Sequence, residues 1–177
     1  MVKLFEGAIK NWKYVLTAVI AGVVFWFLQF CYQYFFVSAG HLDLSLIRSF
    51  AFSGATLIAL ALLVGPVFKL WPNINFVVHR RTFGVIGFAF IILHFGTVNT
   101  FVFGGNPWVA YTILDPFQNP LIFGAIGYFI FLVLFITSTD WATQKLSFKN
   151  WKTLHRLVYF GFILSVVHFS LINPAAL

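Results

Sequence analysis

The sequence predicts an all-α fold, a polytopic membrane bundle of five transmembrane helices forming one domain over residues 1–177. Three observations predict it. Hydrophobic side chains make up 61% of the chain and aromatics 21%, while only 8% of residues are charged, against roughly 25% in an ordinary soluble domain. No charge falls between Lys13 and Asp43, Arg48 and Lys69, Arg81 and Asp115, Asp115 and Asp140, or after Arg156; each gap can hold the ~20 residues of a spanning helix. Ten of the eleven basic residues lie in three segments (Lys3, Lys10 and Lys13; Lys69, Arg80 and Arg81; Lys145, Lys149, Lys152 and Arg156), with Arg48 the exception. Short loops rich in Lys and Arg stay cytoplasmic, so the N-terminus is expected inside and the C-terminus outside a plasma (inner) membrane. The same placement accounts for the net charge of +7 without a nucleic-acid partner.

In chain order, residues 1–13 set Phe5, Ile9 and Trp12 beside three lysines, a pattern suited to a short interfacial helix. The first span, about 14–37, is too long for a signal-peptide core and is read as uncleaved. It carries Gln29 and Gln33 on one face, for a helix contact or a quinone, and Cys31 as a small buried residue. With one cysteine there is neither a disulfide framework nor a Cys-x-x-Cys-His site. A loop over 38–49 holds His41, read as solvated, and the second span follows at about 50–70, closing on Gly65, Pro66 and Lys69. Pro72 and Asn73 make a turn, and the third span runs over about 82–103 from His79, Arg80 and Arg81. The loop 104–119 offers Trp108 and Tyr111 to the aromatic belt. A fourth span at about 120–138 ends in Thr137, Ser138, Thr139 and Asp140, good caps for a short helix through Lys145. The fifth span, about 152–172, is flanked by Trp151.

The candidate chemistry is carried by histidine. The only acids, Glu6, Asp43, Asp115 and Asp140, lie at edges or in loops, so there is no carboxylate relay of the kind a proton pump uses. The only methionine is Met1, which removes a Met axial ligand. His94 stands thirteen residues past Arg81, and His168 twelve past Arg156, so both sit about 18–20 Å beyond the basic rim at matching depth. Two imidazoles at one depth on parallel spans can hold the two axial positions of a haem iron, and a neutral buried imidazole is a good ligand. His155 lies about 20 Å from His168, level with Arg80 and Arg81, and is a candidate for a second haem. Thirteen residues of ideal helix rotate it by about 140° from the His168 face, so it needs a bulge or kink, for which Gly161 is the candidate. Arg80, Arg81 and Arg156 can neutralise propionates or a flavin phosphate. Gly87, seven residues before His94, either permits close helix packing or leaves room for a porphyrin.

Three segments, Arg80-Arg81-Thr82-Phe83-Gly84 leading to Leu93-His94, Thr137-Ser138-Thr139, and Trp151 through Leu154-His155-Arg156-Leu157-Val158-Tyr159 to His168, resemble the ferric-reductase-like transmembrane family, and within it the MsrQ type of haem-binding membrane subunit. The resemblance covers residues from about 50 to 172. It implies a b-type flavocytochrome, with one or two haems and FMN as a further cofactor, that takes electrons from a cytoplasmic flavin reductase and passes them to an outer-face redox protein. His94, His155 and His168 would be its haem ligands. The chain ends nine residues after His168, so the sixth helix of that type is expected to be missing, with a homo-oligomer as one replacement. No glycine-rich dinucleotide fingerprint is present, so electrons are expected from another molecule. Two other readings are a stand-alone membrane reductase of ferric iron or quinone, and a haem-free scaffold or channel in which the histidines only tie helices together.

Overall fold

The computed structural model describes residues 12–70 and 77–172, and the side chains of all of these except 12–14, 68 and 77–79. Residues 1–11, the Pro72–Asn73 turn and the His79 side chain, to which the sequence assigned an interfacial helix, a turn and a flank of the third span, lie outside it.

Helix α1 spans Trp12–Tyr32 and runs on as one wider π turn, Gln33–Val37, closed by Ser38 N donating to Gln33 O at 2.7 Å. Helix α2 spans Leu42–Leu70, α3 Val77–Phe101, α4 Leu121–Ile136, α5 Asp140–His155 and α6 Leu157–Leu171, with a 3-10 turn at Pro107–Tyr111 between α3 and α4. No strand occurs among the described residues. Four runs, Val15–Val37, Leu42–Val67, Arg80–Phe101 and Asp140–Leu171, are long and apolar enough to cross a membrane, and Leu121–Ile136 is a shorter apolar helix. The protein is therefore a multi-pass helical membrane bundle. Large apolar side chains such as Leu28, Phe35 and Phe36 are 62%, 68% and 79% exposed, which water would penalise and hydrocarbon does not.

Two elements depart from the sequence reading. Helix α2 begins at Leu42, eight residues before the expected 50, because its polar first turns are satisfied locally. Ser45 Oγ donates to His41 O at 2.6 Å, Ser49 Oγ to Leu46 O at 3.1 Å, and Arg48 Nη1 reaches Ser38 Oγ at 3.3 Å. Asp43 sits in the first turn, where the helix dipole favours a negative charge. The expected fifth span is also not one straight helix. Thr139 caps α5 by accepting from Ala142 N at 3.2 Å, as its sequence suggested, but α5 bends at Ser147 (φ 60, ψ 151). A tightened turn at Arg156, whose N donates to Thr153 O at 3.2 Å, then separates α5 from α6.

The chain gathers into two compact units, Met1–His94 and Phe95–Leu177, whose boundary falls within α3. In the first unit α2 and α3 meet at glycines. A Cβ on Gly54 would come within 2.9 Å of Gly87 O, and one on Gly87 within 3.1 Å of Gly54 O and 2.9 Å of Ile58 Cγ1. In the second unit α4 lies along α6, with Gly127 against Gly161 O and Ser165 Oγ.

This packing predicts that Gly87→Ala costs about 1–3 kcal/mol through overpacking. Gly84→Ala on the same helix, where a Cβ meets nothing within 4 Å, is expected to be neutral or slightly stabilising. Thermal unfolding of both variants in detergent checks the contrast.

Candidate functional site

His94, half-buried on α3, has Nδ1 3.0 Å from the carbonyl oxygen of Ile47 in α2. His168, half-buried on α6, has Nδ1 3.0 Å from the carbonyl oxygen of Pro120, the residue before α4. A carbonyl can only accept, so each Nδ1 carries the proton and donates, which puts the neutral ring's lone pair on Nε2. Metal-ligating imidazoles are oriented in this way, the second nitrogen held by a backbone carbonyl.

The two contacts are versions of one arrangement. Ile47 and His94 are 47 residues apart, and Pro120 and His168 are 48 apart. Seven residues after each carbonyl stands a glycine, Gly54 or Gly127, and seven before each histidine stands another, Gly87 or Gly161. The first glycine of each pair faces the carbonyl of the second, at 2.9 Å for Gly54 and 3.3 Å for Gly127, measured from an added Cβ. That Cβ would also meet the residue three before the histidine, Ile91 in one pair and Ser165 in the other. Each unit thus holds a helix pair closed by glycine contact and tied by an imidazole-to-carbonyl bond.

The pairs differ at the position four residues after the carbonyl. Four residues after Pro120 stands Gly124, where an added Cβ would lie 2.8 Å from His168 Nδ1 and 2.9 Å from its Cε1. Four residues after Ile47 the chain has Ala51.

The remaining sequence candidates are placed as follows. Gly87 is buried against Gly54 and Ile58, so of its two readings close packing is the one the helix pair uses. His155 sits at the end of α5 with Nε2 3.2 Å from Thr137 Oγ1 and its ring stacked on Trp151 at 4.0 Å. Thr137 Oγ1 also lies 2.7 Å from Val133 O and 3.2 Å from Leu134 O. Trp151 Nε1 donates to Thr137 O at 2.8 Å, so one threonine holds both stacked rings. The irregularity between His155 and His168 is at Arg156, not at Gly161, which is buried against Ile130 and Phe131 of α4. Arg80 is exposed and Arg81 half-buried in the first turns of α3, and Arg156 is exposed in the turn before α6. Cys31 is half-buried, and Gln33 is buried with Oε1 unpartnered.

Among the described residues no three His, Cys, Asp or Glu side chains cluster as an ion cage would need. A cavity of about 330 Å³, lined by Phe95, Trp108, Tyr111, Ala125, Tyr128 and Phe129, opens beside α4. Phe95 and Tyr128 stack there at 4.9 Å, and burial raises the Tyr111 phenol above its usual pKa.

Residues 50–166 match the family model described as ferric reductase like transmembrane component. This chain belongs to that family. It is 34% identical over 115 residues to the protein-methionine-sulfoxide reductase heme-binding subunit MsrQ of Agrobacterium fabrum, covering 64% of this chain and 52% of that protein. Similarity to proteins of the same description from Brucella ovis and Brucella suis biovar 1 is 34% over 111 residues, 62% of this chain and 49% of each of them. The chain therefore spans about half the length of the curated relatives it matches. No solved structure matches it. Within the second unit, the family match takes in Gly124, Thr137 and His155 and ends two residues short of His168.

Thr137→Val removes the hydroxyl partner of His155 Nε2, and is expected to cost about 1 kcal/mol of stability. Thr137→Ser retains the oxygen and most of that stability, and chemical denaturation of both variants measures the difference.

Proposed function

We propose that this chain binds haem b and relays electrons across the membrane, and that His94 and His168 are the residues that would hold the haem through Nε2. The observation that carries the reading is the pair of imidazole-to-carbonyl bonds at 3.0 Å, which fix both tautomers with the coordinating nitrogen turned from its own tether. The names of the relatives, heme-binding subunits of a methionine-sulfoxide reductase, support it. Bound haem would supply a centre that takes and releases one electron. The chain's own residues do the rest. Ile47 and Pro120 hold Nδ1–H, which fixes the plane of each ring and leaves Nε2 as the nitrogen that would coordinate. Arg80, Arg81 and Arg156 would offer positive charge for propionates or an FMN phosphate.

One haem is the stoichiometry that these residues favour. His155 Nε2 is engaged by Thr137, so a second haem ligated through that nitrogen would first have to break this contact. The proposed electron donor is a flavin reductase on the cytoplasmic side of an inner membrane, the side of the N-terminus. The proposed acceptor is a redox protein on the outer face. A quinone acceptor is the second reading, favoured by the aromatic cavity at Ala125, one residue from the Gly124 that touches His168.

Purified protein is expected to show a redox-responsive Soret band and a pyridine haemochrome ratio near one haem per chain. His94→Ala and His168→Ala each lose the band, and His155→Ala retains it. A colourless, folded wild type refutes the reading, and a ratio near two restores His155 as a ligand. Reoxidation of the reduced protein by a soluble quinone, weakened in Tyr128→Ala, identifies the second acceptor.

A further inference from the structure

The close approach of Gly124 to His168 has a sharper meaning than helix packing. The atoms that a side chain at 124 would strike are Nδ1, Cε1 and Cγ of the imidazole, at 2.8, 2.9 and 3.1 Å. These include the nitrogen that bonds Pro120 O. An added methyl cannot be absorbed by a flexible chain end, since its neighbour is the face of a planar ring on a short stem. Gly127, one turn further along α4, has a different environment, meeting Ser165 Oγ at 3.2 Å and Gly161 O at 3.3 Å. The corresponding place in the other helix pair is held by Ala51, so the pair architecture itself does not require glycine there.

We infer that Gly124 is a positioning residue for His168, admitting the imidazole close enough to α4 for Nδ1–H to reach the Pro120 carbonyl and so fixing the tautomer and ring plane that present Nε2. This rests on the proposed haem reading for its consequence, but not for its geometry. With a methyl at 124 the ring is displaced, the carbonyl bond lengthens or breaks, and the imidazole becomes a weaker donor. A weaker donor stabilises the ferric state less, so the midpoint potential rises. Loss of an outer-shell partner lowers affinity at metal centres by about 10–100-fold, and haem retention is expected to fall in that range.

The test compares Gly124→Ala with Gly84→Ala, where an added Cβ meets nothing within 4 Å, with and without haem. In haem-free protein, ¹⁵N NMR of the imidazoles reports whether His168 carries its proton on Nδ1. Gly124→Ala is expected to lose that signature and Gly84→Ala to keep it. In haem-loaded protein, Gly124→Ala is expected to show a raised potential, a changed low-spin EPR spectrum and at least about tenfold weaker haem retention, and Gly84→Ala the wild-type values. An unchanged His168 signal in Gly124→Ala, or identical changes in both variants, overturns the inference. Should Gly124→Ala not fold, the same substitution in a His168→Ala background decides: there the space of the ring is vacant, and the methyl is expected to be harmless. Continued failure to fold assigns Gly124 to packing alone and overturns the inference. A wild type that takes up no haem sinks the haem reading, while the NMR comparison still judges Gly124.

Discussion

The interaction on which the rest depends is an imidazole N–H given to a backbone carbonyl of a neighbouring helix within an apolar bundle. In lipid an unpaired polar nitrogen costs several kcal/mol or about 1–3 on protein scales, so a membrane histidine must find a partner for its proton. His94 and His168 find it in Ile47 and Pro120, oxygens that cannot change roles as a side chain could. The bond does two things at once. It ties two helices together, and it leaves the other nitrogen as the only site on the ring where a lone pair is presented. The structural demand of the bilayer is met by the same atom pair that, on the proposed function, would orient a haem ligand.

That bond requires the helices to be close, and glycine supplies the closeness. Gly54 with Gly87, and Gly127 with Gly161, let backbone approach backbone in the manner of small-residue contacts in membranes. Their equal distances in sequence from the carbonyl and the histidine place the contact two helical turns from the bond in both pairs. The glycine contact fixes the separation of the axes, and the imidazole then spans a gap of set width. Moving either glycine along its helix would misalign the bond at the far end.

Much of this was legible in the sequence, and the exceptions have physical causes. Charge gaps located all five apolar segments, because a bilayer tolerates so few charges that their spacing is nearly a ruler. The beginning of α2 was misplaced by eight residues, since Asp43, Ser45, Arg48 and Ser49 read as loop, whereas each is stabilised by the dipole, a local carbonyl or Ser38. The turn at Arg156 was assigned to Gly161 because glycine is the usual weak point of a helix, but here Gly161 is needed where it stands, against Phe131. His94 and His168 were singled out by matching depth and by the family resemblance, while their bonds to the Ile47 and Pro120 carbonyls carried no sequence signal. Gly124 was missed because glycine in a membrane helix is common and carries no chemistry of its own. The signal was present as a spacing: a carbonyl residue, then 47 or 48 positions to a histidine, with glycines seven in from each end. Comparing the chain with itself at an offset near 73 residues would have exposed it, and with it the one register place where Gly124 answers to Ala51.

The likeness of the pairs makes their differences informative. Thirteen residues before His94 stands Arg81, and thirteen before His168 stands His155. The first is a permanent cation near the start of its helix. The second is a neutral-capable ring held by Thr137 and Trp151, at a point where the helix is already interrupted by the Arg156 turn. The two histidines thus stand on helices entered differently, one continuous from Val77 and the other starting at Leu157 after the Arg156 turn. In the second pair the ring of His168 lies so close to α4 that a Cβ at 124 would meet Nδ1 and Cε1, whereas the first pair carries alanine at the equivalent position 51 and makes the same bond to a carbonyl. The need for glycine at 124 therefore arises from the seat of this one ring and not from the helix pairing that both units share.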